Sequence, residues 1–328
     1  MAKYAVIGSN CFTGSHIVDA ILERPDSEVL AISRSPQPPQ LFLPHTRHKR
    51  PNLRFHQIDI VRAFDDLRTL LDSEKPEVVI NIAALSEVGL SNFKPIEYYD
   101  INTQAVVKLV DHLRGCDWLH RYVHISSAEI YGSCDEPITE NQLFNPSTPY
   151  AASKAAGDMH IATAAQQFGF PALVVRSTNV FGAHQQLFKI IPRSAIYIKL
   201  GKTIELHGGG LSIKSFIHIR DVVRGLLMAM DGGKLGVFHF SVPHERSIAD
   251  IVRIICDRMN ANFGRTTNNT GERLGQDQRY WLDCSKAEKE LGWQPEVTFD
   301  TGVKETVEWI EANWNTIREL PLEYEHKV

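Results

Sequence analysis

Cysteine is scarce in this chain of 328 residues: five thiols, at 11, 116, 134, 256 and 284. Their number is odd and no C-x-x-C spacing occurs, which excludes a disulfide framework and a thiolate zinc site and points to reduced thiols. Fourteen histidines show no H-E-x-x-H or comparable pattern, so no metal site is expected. Charge of one sign is missing too. A formal net charge of −4 excludes a basic nucleic-acid binder, and the run Arg47-His48-Lys49-Arg50 reads as a solvated loop. No apolar run approaches a membrane span, and Met1-Ala2-Lys3 leads into a strand without a charged segment and apolar stretch of the secretory kind. A cytoplasmic protein with neither membrane nor nucleic-acid partners is the expectation. Internal repeats and low-complexity segments are also lacking.

What is present is length enough for about two domains and an alternating pattern. Short β-branched runs at 3–7, 28–33, 54–58, 77–82, 121–126 and 172–177 read as strands. Stretches with helical apolar spacing at 14–23, 64–71, 98–113 and 150–168 lie between them. Such alternation forces parallel strands with helices on both faces, an α/β doubly wound sheet of the Rossmann type. Residues 1–178 form this domain. The apolar strand-helix-strand stretch at about 216–242 is expected to return to it. Residues 179–215 and 243–328, with helices near 185–199, 247–259 and 300–316 and a polar tract at 260–278, form a smaller α+β substrate-side domain. Ligands of a doubly wound sheet bind at the carboxyl ends of its strands, where Gly8, Ser33, Asp59, Ala83 and Ser126 fall.

Gly8, Cys11 and Gly14 follow the first strand at the spacing of a dinucleotide fingerprint whose middle glycine is replaced by Cys11. The first glycine makes the turn, the third lets helix and strand pack, and the helix end near Phe12 offers amides to a phosphate. Tyr150 and Lys154 stand four apart and share one helix face. Lowering a phenol from ~10 to neutral pH takes about 4 kcal/mol of differential stabilisation, which a neighbouring ammonium and a bound cationic nicotinamide can supply. Upstream stand Ser127 and Glu129. Together these residues point to redox chemistry on a hydroxyl group.

Gly8 to Gly14, Asp59-Ile60, Asn81-Ile82-Ala83-Ala84, Ser126 to Gly132, the Tyr150/Lys154 pair and Arg176 to Gly182 occur in order along the chain. In this the sequence resembles an extended short-chain dehydrogenase/reductase acting on nucleotide sugars, most closely the 4,6-dehydratases for dTDP-glucose and GDP-mannose. Phe188-Lys189-Ile190-Ile191-Pro192, Lys214-Ser215-Phe216 and the stretch from Arg273 to Asp277 resemble nucleotide-holding elements of those enzymes. The resemblance implies that Tyr150, assisted by Lys154 and Ser127, takes the 4-hydroxyl proton as hydride leaves C4. Glu129 then removes the C5 proton and protonates the hydroxyl leaving C6, and hydride returns to C6. The outcome is an NDP-4-keto-6-deoxyhexose. Ala128 stands where the dTDP-glucose enzymes carry an acidic Asp, so Glu129 must act as base and acid. An NDP-sugar epimerase or 4-keto-sugar reductase of the same family is the alternative outcome.

The resemblance also implies a tightly held cofactor contacted by Gly8, Asn10, Cys11, Phe12, Thr13, Gly14, Ser33, Arg34, Asp59, Ile60, Ile82, Ala83, Ala84, Asn102, Ser126, Tyr150, Lys154 and Ser177. It surrounds the nucleotide sugar with Ser86, Glu87, Ser127, Asn179, Lys189, Ile190, Arg193, His207, Lys214 and Arg273. Ser33-Arg34-Ser35 ends the second strand, where a hydroxyl and a guanidinium suit a 2′-phosphate. This favours NADP, with NAD the alternative. Small residues along the Tyr150 helix, Ala151, Ala152, Ala155, Ala156, Gly157, Ala162, Ala164 and Ala165, allow another helix to approach. Family members pair this helix with that at 98–113 in a four-helix bundle, so a homodimer is expected.

Overall fold

A computed structural model describes residues 2–48, 51–271 and 279–326. The strands are β1 (Ala2–Ile7), β2 (Ser27–Ser33), β3 (Leu53–Gln57), β4 (Val78–Asn81), β5 (Arg121–Ile125), β6 (Ala172–Ser177), β7 (Asn179–Phe181), β8 (Ile204–His207), β9 (Ile213–His218), β10 (Gly236–Phe240), β11 (Glu245–Ser247) and β12 (Thr267–Thr270). The helices are α1 (Phe12–Leu22), α2 (Phe64–Glu74), α3 (Val88–Ser91), α4 (Pro95–Tyr99), α5 (Ala105–Leu113), α6 (Pro149–Phe168), α7 (Ile190–Leu200), α8 (Ile219–Asp231), α9 (Ile248–Arg258), α10 (Phe263–Thr266), α11 (Ser285–Leu291), α12 (Phe299–Ala312) and α13 (Trp314–Ile317).

Seven parallel strands form the main sheet in the order β10-β6-β5-β4-β1-β2-β3. Alternate residues of each strand enter opposite cores, which is why their runs are apolar throughout. Tyr4 and Val6 of β1 pack with α1 and α8, while Ala5 and Ile7 pack with α2, α5 and α6. The chain runs outward from β1 through β2 to β3, then crosses back to β4 on the other side of β1. A crevice therefore opens at the carboxyl ends of β1 and β4. A third core, around Phe181, Ile191, Ile251, Val303 and Ile310, joins α7, α9 and α12 into the second domain.

Three expectations change. The 216–242 stretch returns to the main sheet only through β10. β9 instead pairs with β7 and β11 in a separate three-stranded sheet, because β6 already has β5 and β10 on its two edges. The helix expected over 98–113 starts at Pro95 and loosens into a π-turn at Asp100–Gln104. That turn carries Asn102, whose amide accepts from Leu85 N and donates to Leu85 O and Ser153 Oγ, all at 3.0–3.1 Å. Within the polar tract at 260–278, Thr267–Thr270 pairs in parallel with β8, a strand whose Thr-Asn-Asn-Thr sequence carries no apolar alternation. Among the described residues no helix is long and apolar enough to cross a membrane.

Candidate active site

The dinucleotide turn is built by close backbone approach. Gly8 has φ +96°, and a Cβ there would lie 2.7 Å from Ala83 N. A Cβ on Gly14 would lie 2.3 Å from Gly8 O, so the third glycine is what lets α1 close onto β1. Cys11 is the N-cap of α1, and its Sγ accepts from Gly14 N at 3.2 Å. Its side chain is thus folded back onto the helix's own amides. Burial pushes the thiol up to about 11, so it is not an activated nucleophile.

A cleft of about 280 Å³ follows this turn, lined by Gly8, Asn10, Cys11, Ser33, Arg34, Asp59, Ile60, Ile82, Ala83 and Ala84. Asn10 N donates to Ser33 Oγ at 3.0 Å and its side-chain amide to Ser35 O at 3.0 Å, tying the turn to the end of β2. Asp59 Oδ1 accepts from Val61 N at 2.8 Å. Cys11, Ile82, Ala84 and Gln186 are shared with a second cleft of about 240 Å³. Around the second lie Phe12, Thr13, Ser86, Ser126, Ser127, Glu129, Tyr150, Lys154, Ser177, Asn179 and Lys189. Asn102 does not join either lining. Fully buried, it braces the loop after β4 against α6.

Thr148 caps α6 and Pro149 opens it, which sets Tyr150 and Lys154 on its first turns. Tyr150 is hydrogen-bonded to Ser127, at the end of β5. Burial and the nearby Glu129 carboxylate push the phenol above its usual range, against the pull of Ser127. Lys154 lies one helical turn further along α6. Its Nζ, itself buried, donates to Ile125 O at 2.8 Å and lies 3.2 Å from His124 Nε2, and desolvation lowers it to about 8.

Beneath these groups lies a buried polar network. Asp158 Oδ2 accepts from Ser126 Oγ at 2.8 Å and from Arg176 Nε at 2.9 Å. Arg176 also bonds the Tyr131 hydroxyl, which lies 2.8 Å from His239 Nε2. His124, pushed well below its usual range by burial and by the Lys154 and Arg176 charges, is neutral. Sequence reasoning missed His124, Asp158 and His239. A histidine inside the apolar run of β5 was the one available signal.

On the second domain's side, Lys189 lies 3.6 Å from Glu87. Asn179, Lys189, Ile190 and Lys214 line an adjoining cavity. Lys214 Nζ sits 3.8 Å from the centre of the Tyr280 ring, and Tyr280 itself faces the catalytic cleft. Gln185, Gln186 and Tyr280 are lining residues without a sequence signal, and Thr178, within the Arg176 to Gly182 motif, lines the cleft too. Arg193 lies within the first turns of α7 and outside these linings. His207 ends β8 and lies 2.9 Å from Thr270 Oγ1, in the two-stranded sheet of the second domain, not on the catalytic cleft. Arg273 falls outside the described residues. Ala128 packs with Ile130, Tyr131, Ala155 and Leu282, so position 128 supplies no acid.

The chain is 27% identical over 333 residues to the dTDP-glucose 4,6-dehydratase of Haemophilus influenzae, covering 94% of this chain and 98% of that one. It is 28% identical over 315 residues to a trifunctional UDP-glucose 4,6-dehydratase, 3,5-epimerase and reductase of Arabidopsis thaliana, covering 94% of this chain but only 47% of that protein. It thus spans about half the length of that relative. The crystal structure of the Streptomyces venezuelae dTDP-glucose 4,6-dehydratase with NAD bound superimposes with a TM-score of 0.86 at 28% identity, over 95% of this chain and 98% of that one. The family model described as GDP-mannose 4,6 dehydratase matches residues 6–306. With this match along most of its length, and a doubly wound α/β sheet that superimposes on a solved 4,6-dehydratase, the chain belongs to the GDP-mannose 4,6-dehydratase family of extended short-chain dehydrogenases/reductases.

Proposed function

We propose that this protein is an NDP-sugar 4,6-dehydratase, converting an NDP-hexose to an NDP-4-keto-6-deoxyhexose. The observation that carries the reading is the meeting of Ser127, Glu129, Tyr150 and Lys154 on one cleft that opens into the dinucleotide cleft. The lining of this cleft suits a dinucleotide: Asn10, Ser33, Arg34 and Asp59 bring polar and charged groups around the turn at Gly8. Asn10, Arg34, Asp59 and Ile60 would hold the adenosine half, and Tyr150, Lys154 and Ser177 would face the nicotinamide. Once bound, the nicotinamide dinucleotide supplies a hydride acceptor, a hydride donor and a positive charge.

Ser127 and Tyr150 orient the C4 oxygen, and Tyr150 takes its proton. In the unliganded protein this phenol is held protonated by burial and Glu129, so it acts as a base only in the loaded site. Lys154 adds an ammonium beneath it. A C4 ketone acidifies the hydrogen at C5, which Glu129 removes and transfers to the hydroxyl leaving C6 as water, and a proton has to return to C5 when C6 is reduced. Lys189, Lys214 and Asn179 would meet the diphosphate and nucleotide, a role supported by their lining one adjoining cavity. Arg34 at the end of β2 favours NADP over NAD.

A cytoplasmic homodimer belongs to the same reading, with α5 and α6 forming the bundle. Ala151, Ala155, Gly157 and Ala164 are buried within the protein itself, while Met159, Ala162 and Phe168 remain exposed on α6. Ala128 favours a second outcome, epimerisation or 4-keto reduction, because Glu129 has no acidic neighbour at that position. Incubation with a panel of NDP-hexoses distinguishes the two. The expected product is lighter by one water with no net consumption of reduced cofactor. A product of unchanged mass, or stoichiometric oxidation of NADPH, would overturn the dehydratase reading.

A further inference from the structure

The segment after α13 leaves the second domain and crosses to the first. Leu320 and Leu322 pack on the core of the second domain, and Tyr197 Oη donates to Glu323 Oε1 at 2.9 Å. At the far end His326 Nε2 is bonded to the Glu97 carboxylate on α4, a helix of the dinucleotide domain. Between these anchors, Tyr324 and Glu325 line the cleft that contains Arg34, Asp59 and Ile60. The Tyr324 ring meets Phe188 edge-on at 5.1 Å, and Arg34 lies within electrostatic reach of its hydroxyl. A stretch of chain pinned on both domains therefore closes one side of the adenosine end of the cleft.

We propose that residues 321–326 form a cofactor-retaining strap, in which Tyr324 and Glu325 bind the adenosine half of the dinucleotide and hold it through the whole reaction. The inference rests on the dinucleotide reading of this cleft. Its chemical reason is the order of events: a hydride taken at C4 has to be returned at C6 of the same sugar, so a cofactor that leaves between the two steps ends the cycle with an unreduced intermediate. The fingerprint residues Gly8, Asn10 and Cys11 line this cleft from the turn between β1 and α1. Tyr324 supplies an aromatic face and a hydroxyl there, and Glu325 a carboxylate.

The test measures release of reduced dinucleotide from the full chain by stopped-flow fluorescence, with excess oxidised cofactor as the trap. His326→Ala removes an anchor that lies outside the cleft, and Tyr324→Ala removes the covering ring. Both are expected to raise the dissociation rate by about tenfold or more, equivalent to about 1.4 kcal/mol. His326→Gln, which can still bond Glu97, should restore slow release, a rescue that a general loss of folding would not show. Release from both alanine variants at the parental rate would overturn the strap alone. Failure of the parent chain to bind either NADH or NADPH would overturn the cofactor reading and the strap together.

Discussion

Replacing Lys154 with Met should make the unliganded protein more stable at neutral pH while destroying its activity. The buried ammonium falls from the ordinary 10.5 to about 8, a change worth about 3 kcal/mol between charged and neutral forms. Desolvation is the main cause, and the nearby Asp158 charge opposes it. Because the folded value is depressed, the unfolded chain binds this proton more tightly. The contribution of Lys154 to stability therefore rises with pH between about 8 and 10.5. Below about 8 the amine is charged in both states and its full burial cost is present.

Methionine removes that cost and also removes the hydrogen bonds to Ile125 O and His124, worth about 1–2 kcal/mol together. Lys154→Met should thus stabilise the cofactor-free protein by about 1–2 kcal/mol at pH 7. At pH 10.5 the same variant should be less stable than the parent by a similar amount. The total swing of about 3 kcal/mol does not depend on what the hydrogen bonds are worth, since they are lost at every pH. Urea unfolding followed by circular dichroism at pH 7, 8.5 and 10.5 measures it. A difference between variant and parent that stays flat across this range would refute the account of the buried charge.

Tyr150→Phe should keep the parental thermal midpoint while turnover falls about 10²- to 10⁴-fold, the range expected for loss of a proton-transfer group; wild-type turnover would remove Tyr150 from the chemistry. Glu129→Gln should still oxidise C4, seen as reduced-nicotinamide absorbance when sugar is added, while formation of the dehydrated product drops about 10²- to 10⁴-fold. Equal loss of both signals would mean that Glu129 acts before elimination. In Gly14→Ala the new methyl would stand 2.3 Å from Gly8 O, so the turn must open. Calorimetric titration should find dinucleotide binding lost, and unfolding should show a destabilisation of about 1–3 kcal/mol. Arg34→Ala should shift the ratio of KM for NADP to that for NAD by about tenfold toward NAD, the scale of one lost charge-assisted hydrogen bond.

Local spacing made much of this protein legible. Gly8 and Gly14 declare a turn whose closeness the backbone then requires, and Tyr150 with Lys154 needs only the helical repeat to share a face. The alternation of β1 to β6 with helices follows from apolar runs that must be buried on both sides. What escaped depends on direction or on distance along the chain. Asn102 has the residue type of a cofactor contact, but a loosened helical turn aims it at Leu85. Tyr131 meets His239 across 108 residues, and His326 meets Glu97 across 229, separations no sequence period encodes. The depressed Lys154 arises from complete burial, which depends on everything packed around it.

The pairing of Glu87 with Lys189, 3.6 Å apart at the mouth of the cleft, has a consequence for selectivity. A cation already answered by a carboxylate is a poor magnet for a weakly charged visitor. In the proposed reading an incoming diphosphate, carrying about two negative charges, has to displace Glu87 from Lys189. The internal ion pair thus acts as a threshold on ligand charge, set before any feature of the sugar or base is read. Neutralising Glu87 would lower that threshold, so the nucleotide sugar would bind with a lower KM.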